Sequence, residues 1–587
     1  MGDYYNAPLR DIRFNLEELV DLQAVCSAIG NEDCEPELVS AILDEAGRMC
    51  NDEIAPSNYA CDQAGSGFSD RAVTAAPGLK ELYEQFVEGG WAGLAEPAEF
   101  GGQGLPKVLN GSLQEMRQSA NLAFSLCPML SQGCIEAILL HANDSIKNTF
   151  LPKLISGEWT GTMNLTEPQA GSDLAAIRTK AEPDGDAYRL FGQKIFITWG
   201  DHDLTENIIH LVLARLPDAP AGVKGISLFV VPKFLVNEDG SIGERNDAYA
   251  ASIEHKMGIH ASPTCVMAFG DDVGAKGYLV GEPHNGLVYM FSMMNNARLG
   301  VGMQGVGVSE RAYQQAVSFA KERVQGMTVS GPGGIVQHPD VRRMLMTMRA
   351  LTESSRSLLY TSMAAVDVAH AGLDAEQKAR ADRRVALVTP VAKGWATEVS
   401  LEVTSLGVQV HGGMGFIEET GAAQHMRDAR ILPIYEGTTG IQAADLIGRK
   451  YLRDNGRAMA ELMSDIATDI EAAKQVPEIQ DIVQTIETAY TRYSGLLETI
   501  KQHGTDAVWV GSVATNFMML SGYVWGGWLM MKSAAQAAPK QEQDSFYRNK
   551  IATARVFCEQ LLPRAEALAV SVDLGAGAIM EIPVDEL

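Results

Sequence analysis

The 587 residues are 46% hydrophobic and 21% charged, with a formal net charge of −27. A chain of this length exceeds one compact core, so several domains are expected in an otherwise ordinary soluble composition. With no Lys/Arg block to offset it, the negative balance excludes nucleic acid and disfavours membrane contact, and an anionic ligand would need local basic groups or backbone N–H donors.

The eight cysteines, Cys26, Cys34, Cys50, Cys61, Cys127, Cys134, Cys265 and Cys558, include no Cys-x-x-Cys pair and no tight Cys/His cluster. That argues against structural zinc and a disulfide framework, and for a reducing, cytoplasmic setting. Residues 1–6 show no basic segment leading into an apolar stretch, so no signal peptide is read.

In chain order, residues 1–160 read as a helical domain, with apolar residues at helical spacing in 36–49, 79–87 and 105–122. Between 161 and 284 the pattern changes to short β-branched or apolar runs, 188–199, 207–213, 226–231 and 264–269, which predict a middle β-domain. From 285 to 454 helices return: 290–324 is long and periodic, Pro339-Asp340 marks a helix start, and 375–410 and 439–452 follow. Residues 455–587 add helices over 457–474, 477–503, 506–538 and 545–571, enough to close a bundle. Residues 507–531 carry no charge and are long enough to span a bilayer. They also hold Ser512, Thr515, Asn516, Ser521 and four glycines between amphipathic neighbours, so a buried bundle helix is expected.

Several motifs carry chemistry. Glu436 stands between Ile434-Tyr435 and Gly437-Thr438-Thr439-Gly440. An apolar setting raises a carboxyl pKa, which suits a general base near neutral pH; the plain alternative is a surface Glu in a loop. Thr166-Glu167-Pro168-Gln169-Ala170-Gly171-Ser172-Asp173 offers backbone N–H groups and a hydroxyl to a phosphate or a polar ring edge, or is an ordinary turn. Ile195-Phe196-Ile197-Thr198-Trp199-Gly200 offers Phe196 and Trp199 for ring packing and Thr198 for a hydrogen bond. Gln409-Val410-His411-Gly412-Gly413-Met414-Gly415 is either a helix cap or a backbone that a ligand approaches closely. Gly300-Val301-Gly302-Met303-Gln304-Gly305 matches Gly-x-Gly-x-x-Gly, but helical sequence on both sides favours close helix packing over a dinucleotide loop. His260 and His411 lack partners at ligand spacing and read as structural, so no metal is expected.

Taken in order, 166–174, 194–200, Lys256-Met257-Gly258, Arg298, Glu322-Arg323, 409–413, Arg427-Asp428-Ala429 and 434–442 resemble the acyl-CoA dehydrogenase family of flavoproteins. The resemblance implies an α+β multidomain fold: an N-terminal helical domain, a β-barrel-like middle domain and a helical bundle with FAD bound between the last two, here with an extra C-terminal helical domain. It also implies roles. Glu436 would remove the α-proton of an acyl-CoA thioester while the β-hydrogen leaves as hydride to the flavin. Its backbone N–H would help polarise the thioester carbonyl. Leu165, Thr166, Phe196 and Thr198 would edge or cover the isoalloxazine, with Gly171 and Ser172 near phosphate at the flavin–substrate boundary. Arg323, Gln409, Gly412, Gly413 and Thr438 would hold the FAD pyrophosphate and adenosine, some across a subunit interface. Asn295, Arg298 and Gly437 would lie on the substrate side, and Arg449 behind the base. An electron-transferring flavoprotein would accept the electrons.

Three departures stand out. His260 replaces a common Arg, Gln325-Gly326 replaces a common Phe-Gly pair, and the helix after Gln442 carries one extra residue before Arg449. Residues 4–21, 196–203, 260–264 and the added C-terminal block resemble a dimeric branch of the family that oxidises a short thioether acyl-CoA in dimethylsulfoniopropionate breakdown. The same long architecture also serves ordinary fatty acyl chains. The other readings are an oxidase of the same fold and a non-catalytic scaffold.

Overall fold

The computed structural model describes residues 5–31, 34–371 and 374–587; Tyr4 and the rest of residues 1–4 lie outside the described residues. The chain divides into two compact units, one of residues 1–47, 106–119 and 301–587, the other of 48–105 and 120–300.

The second unit contains the main sheet. Its strands run Ala248–Ile253, Thr264–Phe269, Ala187–Thr198, Ala275–Leu279, Ile226–Pro232, Asn207–Arg215 and Trp159–Asn164 in spatial order. Lys180–Asp184 pairs with both Ala187–Thr198 and Asn207–Arg215. Five strands therefore close into a ring, the barrel-like domain expected. Asn207–Arg215 is buried along almost its whole length, as a run that is apolar from 208 to 214 except for His210 requires of a strand covered on both faces. Leu190, Val212, Phe229, Val231 and Phe269 fill the interior.

Several elements of this unit escape the sequence reading. Helix Leu122–His141 is apolar all round, so it carries no helical period to detect. It is followed by Asp144–Ser156. The hairpin Gly67–Ser69/Ala72–Thr74 turns on Asp70 and Arg71, both at positive φ (51° and 61°), without the glycine that usually marks such a turn. Strand Trp159–Asn164 begins inside the segment read as helical.

In the first unit the long helices follow the periodic segments. Pro339–His370 starts with its Pro in the first turn and Asp340 beside it, as read. Helix Gly286–Glu322, which begins in the second unit, contains the whole Gly-x-Gly-x-x-Gly motif. A Cβ at Gly302 would stand 2.9 Å from the Ala392 carbonyl oxygen, and one at Gly305 2.7 Å from that of Ala396. These glycines let that helix approach Ala375–His411 and form no nucleotide loop. Residues 439–452 are α-helical over Thr439–Asp445 and then π-helical over Leu446–Leu452. A π turn absorbs one inserted residue, which accounts for the extra residue before Arg449.

In the C-terminal block the single helix expected over 545–571 breaks. Ser545–Val556 passes through a π turn, and a new helix, Arg564–Leu574, begins directly after Pro563. The uncharged segment is helix Ala507–Ala537, packed on Pro339–His370, Ala375–His411 and Gln480–His503. It and Leu122–His141 are both long and apolar enough to cross a membrane; Leu122–His141 packs on strand Trp159–Asn164 and helix Asp144–Ser156.

Buried charge ties the termini of the first unit to its bundle. The Lys550 ammonium, 3% exposed, contacts Asp11 and lies 3.1 Å from Glu353, which also binds Arg349 at 2.7 Å. Arg356 holds Glu115 and Glu310, each at 2.7 Å, and Tyr360 donates to Glu115 at 2.8 Å. Burial pushes the Asp11 carboxyl up, but Lys550 and Arg356 outweigh it and hold the group below its ordinary range. Removing the shared cation leaves Asp11 without its ammonium and Glu353 with Arg349 alone. Lys550→Met should therefore cost about 3 kcal/mol and lower the first thermal transition in scanning calorimetry; an unchanged transition would show that the clasp contributes nothing.

Candidate active site

Strand Trp159–Asn164 leads into the Thr166–Asp173 loop, and strand Ala187–Thr198 runs beside it. The Ile195 N–H donates to the Thr166 carbonyl at 2.9 Å, so the two motifs singled out in the sequence lie together. Beneath them is a fully buried ion pair. Lys194 Nζ donates to Glu167 at 2.8 Å and to the Leu165 carbonyl at 3.0 Å. Glu167 also accepts from the Arg178 and Thr179 N–H groups at 2.6 and 3.0 Å and from the Thr179 hydroxyl at 2.6 Å. Burial raises the Glu167 carboxyl, but these donors, Lys194 foremost, hold it down at about 2. Burial lowers the Lys194 ammonium to about 8, so the pair stays ionised at neutral pH.

What this scaffold presents is graded. Leu165 is buried, Thr166 and Thr198 are half-buried, and Gly171 and Ser172 are exposed. Phe196 sits at φ 59° near the strand end and is 60% exposed. A large apolar ring in a left-handed conformation on the surface is a costly arrangement, and an aromatic ligand face would cover it. Trp199 does not share that role. It also has positive φ, but it is buried and its indole N–H donates to the Ala123 carbonyl at 3.1 Å, so it anchors the strand end. On the helix that leaves this unit, Asn295 is exposed, and the buried Arg298 reaches it at 3.4 Å with its guanidinium 5.8 Å from the Phe291 ring centre.

In the first unit Glu436 is half-buried and has φ 54°, followed by Gly437 at 89°. The tight loop is closed by the Thr439 N–H on the Pro433 carbonyl at 3.0 Å. Its braces come from two long helices and from its own. Tyr435 donates to Gln304, Thr439 donates to Glu398, and Lys393 Nζ donates to the Gly437 carbonyl at 2.7 Å. Gln442 Nε2 donates to the Glu436 carbonyl at 3.2 Å and contacts that of Gly437 at 3.4 Å. Burial, then the neighbouring Glu436 charge, pushes the Tyr435 hydroxyl well above its usual range, so it stays a neutral donor.

Gln409, Gly412 and Gly413 are exposed at the end of Ala375–His411, with Gly412 at φ 61°. His411 stacks on Phe319 with ring centres 4.4 Å apart, which brings this end beside that of Gly286–Glu322, where Arg323 is exposed. At these two helix ends an exposed guanidinium, a carboxamide and two open glycines suit a pyrophosphate, and Thr438 is exposed beside the Glu436 loop; in the other unit Phe196 with Thr166 and Thr198 suits an isoalloxazine, so each set by itself fits part of FAD. His411 is tied to the Gly407 carbonyl, and His260 lies between the Asp62 carboxylate at 3.1 Å and the Lys256 carbonyl at 3.0 Å. Arg449 pairs with Asp445 one turn earlier at 3.1 Å. Lys393 went unremarked in the sequence. Its signal was a single charge inside the apolar run Val391-Ala392-Lys393-Gly394-Trp395-Ala396.

Family models of the acyl-CoA dehydrogenase N-terminal domain, middle domain and C-terminal domain match residues 37–158, 162–272 and 284–452, and an acetyl-CoA dehydrogenase C-terminal-like model matches 460–583. The chain is 48% identical to the 3-methylmercaptopropionyl-CoA dehydrogenase of Ruegeria pomeroyi, covering 96% of this chain and 97% of the relative. It is 35% identical to a butyryl-CoA dehydrogenase of Syntrophomonas wolfei, covering 95% of each. A solved acyl-CoA dehydrogenase from Bacillus anthracis, complexed with FAD, shares the fold at a TM-score of 0.75 and 24% identity, over 92% of this chain and 89% of that one.

The Glu167–Lys194 pair sets a pH dependence. The Glu167 carboxyl is held below its ordinary 4.5, so its contribution is full above that pH and is lost as pH falls toward about 2. Thermal unfolding followed from pH 6 to 3 should show this acid slope in the wild type and a shallower one in Glu167→Gln. Equal slopes would remove the pair as a determinant of the loop.

Proposed function

Because the chain belongs to the acyl-CoA dehydrogenase family and is an FAD-dependent oxidoreductase, we propose that Glu436 is the base that takes the α-proton of an acyl-CoA, most specifically of 3-methylmercaptopropionyl-CoA, giving methylthioacryloyl-CoA. The observation that carries the base assignment is its conformation. A non-glycine residue at φ 54°, braced by partners on two bundle helices and its own, has been fixed in one direction at a conformational cost of about 1–3 kcal/mol. Such strain persists where a side chain must point at something.

When bound, FAD supplies a two-electron acceptor for the β-hydride. The chain's own residues do the rest. The Glu436 carboxylate accepts the proton, and its N–H offers a donor to the thioester oxygen as enolate charge develops. Thr166, Phe196 and Thr198 flank the ring, with Leu165 at its edge and Gly171 and Ser172 toward phosphate. Arg323, Gln409, Gly412, Gly413 and Thr438 take the pyrophosphate end, and Asn295, Arg298 and Gly437 the acyl-CoA.

The thioether substrate is supported by the gradient of likeness: 48% identity to the enzyme of that name against 35% to a butyryl-CoA dehydrogenase, each over nearly the whole chain. This reading places the enzyme in dimethylsulfoniopropionate breakdown, with an electron-transferring flavoprotein as acceptor. A homodimer fits the apolar side chains beside Gly412 and Gly413, with Phe416 85% exposed and Met414 and Ile417 each 45%. A cytoplasmic location fits eight free, buried cysteines.

Glu436→Gln should keep FAD and acyl-CoA binding while kcat falls about 10³-fold; unchanged turnover would sink the assignment. For the substrate, kcat/KM should be several-fold higher for 3-methylmercaptopropionyl-CoA than for butanoyl-CoA, a step within the 1–3 kcal/mol that about one extra chain atom confers. The reverse order would make this an enzyme of ordinary acyl chains.

A further inference from the structure

We propose that Lys393 is a positioning residue for the base, an inference that rests on Glu436 having that role. Its side chain is fully buried in the middle of helix Ala375–His411. An ammonium buried among apolar residues is destabilising unless it is well hydrogen-bonded, and an isosteric methionine would fill the same space without that penalty. One bond it makes is to the main chain of the loop that carries Glu436: Nζ to the Gly437 carbonyl oxygen, 2.7 Å.

The placement matters because of the two left-handed residues. Glu436 and Gly437 have φ 54° and 89°, so the direction of the carboxylate depends on how the adjoining peptide planes are turned. Gln442 fixes the plane of the Glu436 carbonyl from the loop's own helix. That tie alone would let the loop and its helix move together. Lys393 fixes the next carbonyl from a different helix and so refers the base to the bundle. Its donor is charged, and charge-assisted bonds are about twice as strong as neutral ones. The titratable groups of the same loop and its braces are Glu436, Tyr435 and Glu398. Glu398 lies on the helix of Lys393 and accepts from Thr439. Asp445, on the following helix, is paired with Arg449.

The test compares Lys393→Met and Lys393→Arg holoenzymes with Glu436→Gln. Misplacing a catalytic group by about 1 Å is worth roughly 10²-fold in rate, so Lys393→Met should lower kcat by about 10²-fold. Flavin content and the affinity for but-2-enoyl-CoA, read from flavin absorbance, should stay within twofold of wild type. Lys393→Arg should recover most of kcat. A Lys393→Met enzyme with near wild-type kcat, or one that loses flavin and enoyl-CoA affinity in step with kcat, overturns the inference. If the apolar variant yields no soluble protein, Lys393→Gln is read by the same split between kcat and affinity. An active Glu436→Gln enzyme refutes the base itself. An inactive one beside an unaffected Lys393→Met refutes only the positioning role.

Discussion

The main-chain conformation at Glu436 is the constraint from which the catalytic unit is best understood. Two consecutive residues at positive φ reverse the chain between Pro433 and Thr439, and the first of them is not glycine. Left to itself such a turn would relax, because an L-residue gains about 1 kcal/mol or more by returning to negative φ. It does not relax because its carbonyls and flanking side chains are claimed by Lys393, Gln442, Gln304 and Glu398. A carboxylate mounted this way would lose little entropy in the base role proposed for it.

The second unit uses the same device. Phe196 has left-handed backbone, and a buried lysine, Lys194, grips a main-chain carbonyl in the adjoining loop. In both places a strained, presented residue lies near a buried ammonium that donates to a main-chain carbonyl, Leu165 for Lys194 and Gly437 for Lys393. Buried ion pairs contribute little net stability on average, because desolvation offsets the Coulomb gain. Their value here is in orientation: Lys194 and Glu167 together hold six hydrogen bonds that define one loop conformation.

The sequence disclosed whatever repeats with a period or carries a turn signature. Pro339, the glycines packed against Ala392 and Ala396, and four strands of the main sheet were legible, since each follows from local chemistry; Trp159–Asn164, Lys180–Asp184, Ala248–Ile253 and Ala275–Leu279 were not. Leu122–His141 was not, because a helix covered on every side has no polar face to set the period. The Asp70-Arg71 turn and the positive φ of Phe196 and Glu436 were hidden because none uses glycine; tertiary contacts, not propensity, hold them. Trp199 looked like Phe196 in sequence, but it is buried with the Ala123 carbonyl within reach of its indole, where Phe196 is exposed. Arg449 lies inside the π-helical turn Leu446–Leu452 and pairs with Asp445, a register that no local signature in the sequence reveals.

The C-terminal block is bound into this arrangement at the level of single atoms. A Cβ at Gly394, the residue after Lys393, would stand 2.4 Å from Met518 Sδ, and one at Gly522 would stand 2.1 Å from the Trp395 ring. Met518 and Gly522 lie on the uncharged helix Ala507–Ala537, so the turn carrying Lys393 is packed directly under the added helices. The same helix also packs on Thr439–Asp445, which carries Gln442. Both braces on the base's carbonyls therefore rest on one helix of the added block. Interiors packed this closely transmit displacement, because no void absorbs it. The absence of charge suits the surfaces that the buried part of 507–531 meets: the Trp395 ring against Gly522 and Gly526, and Gly394 against Met518.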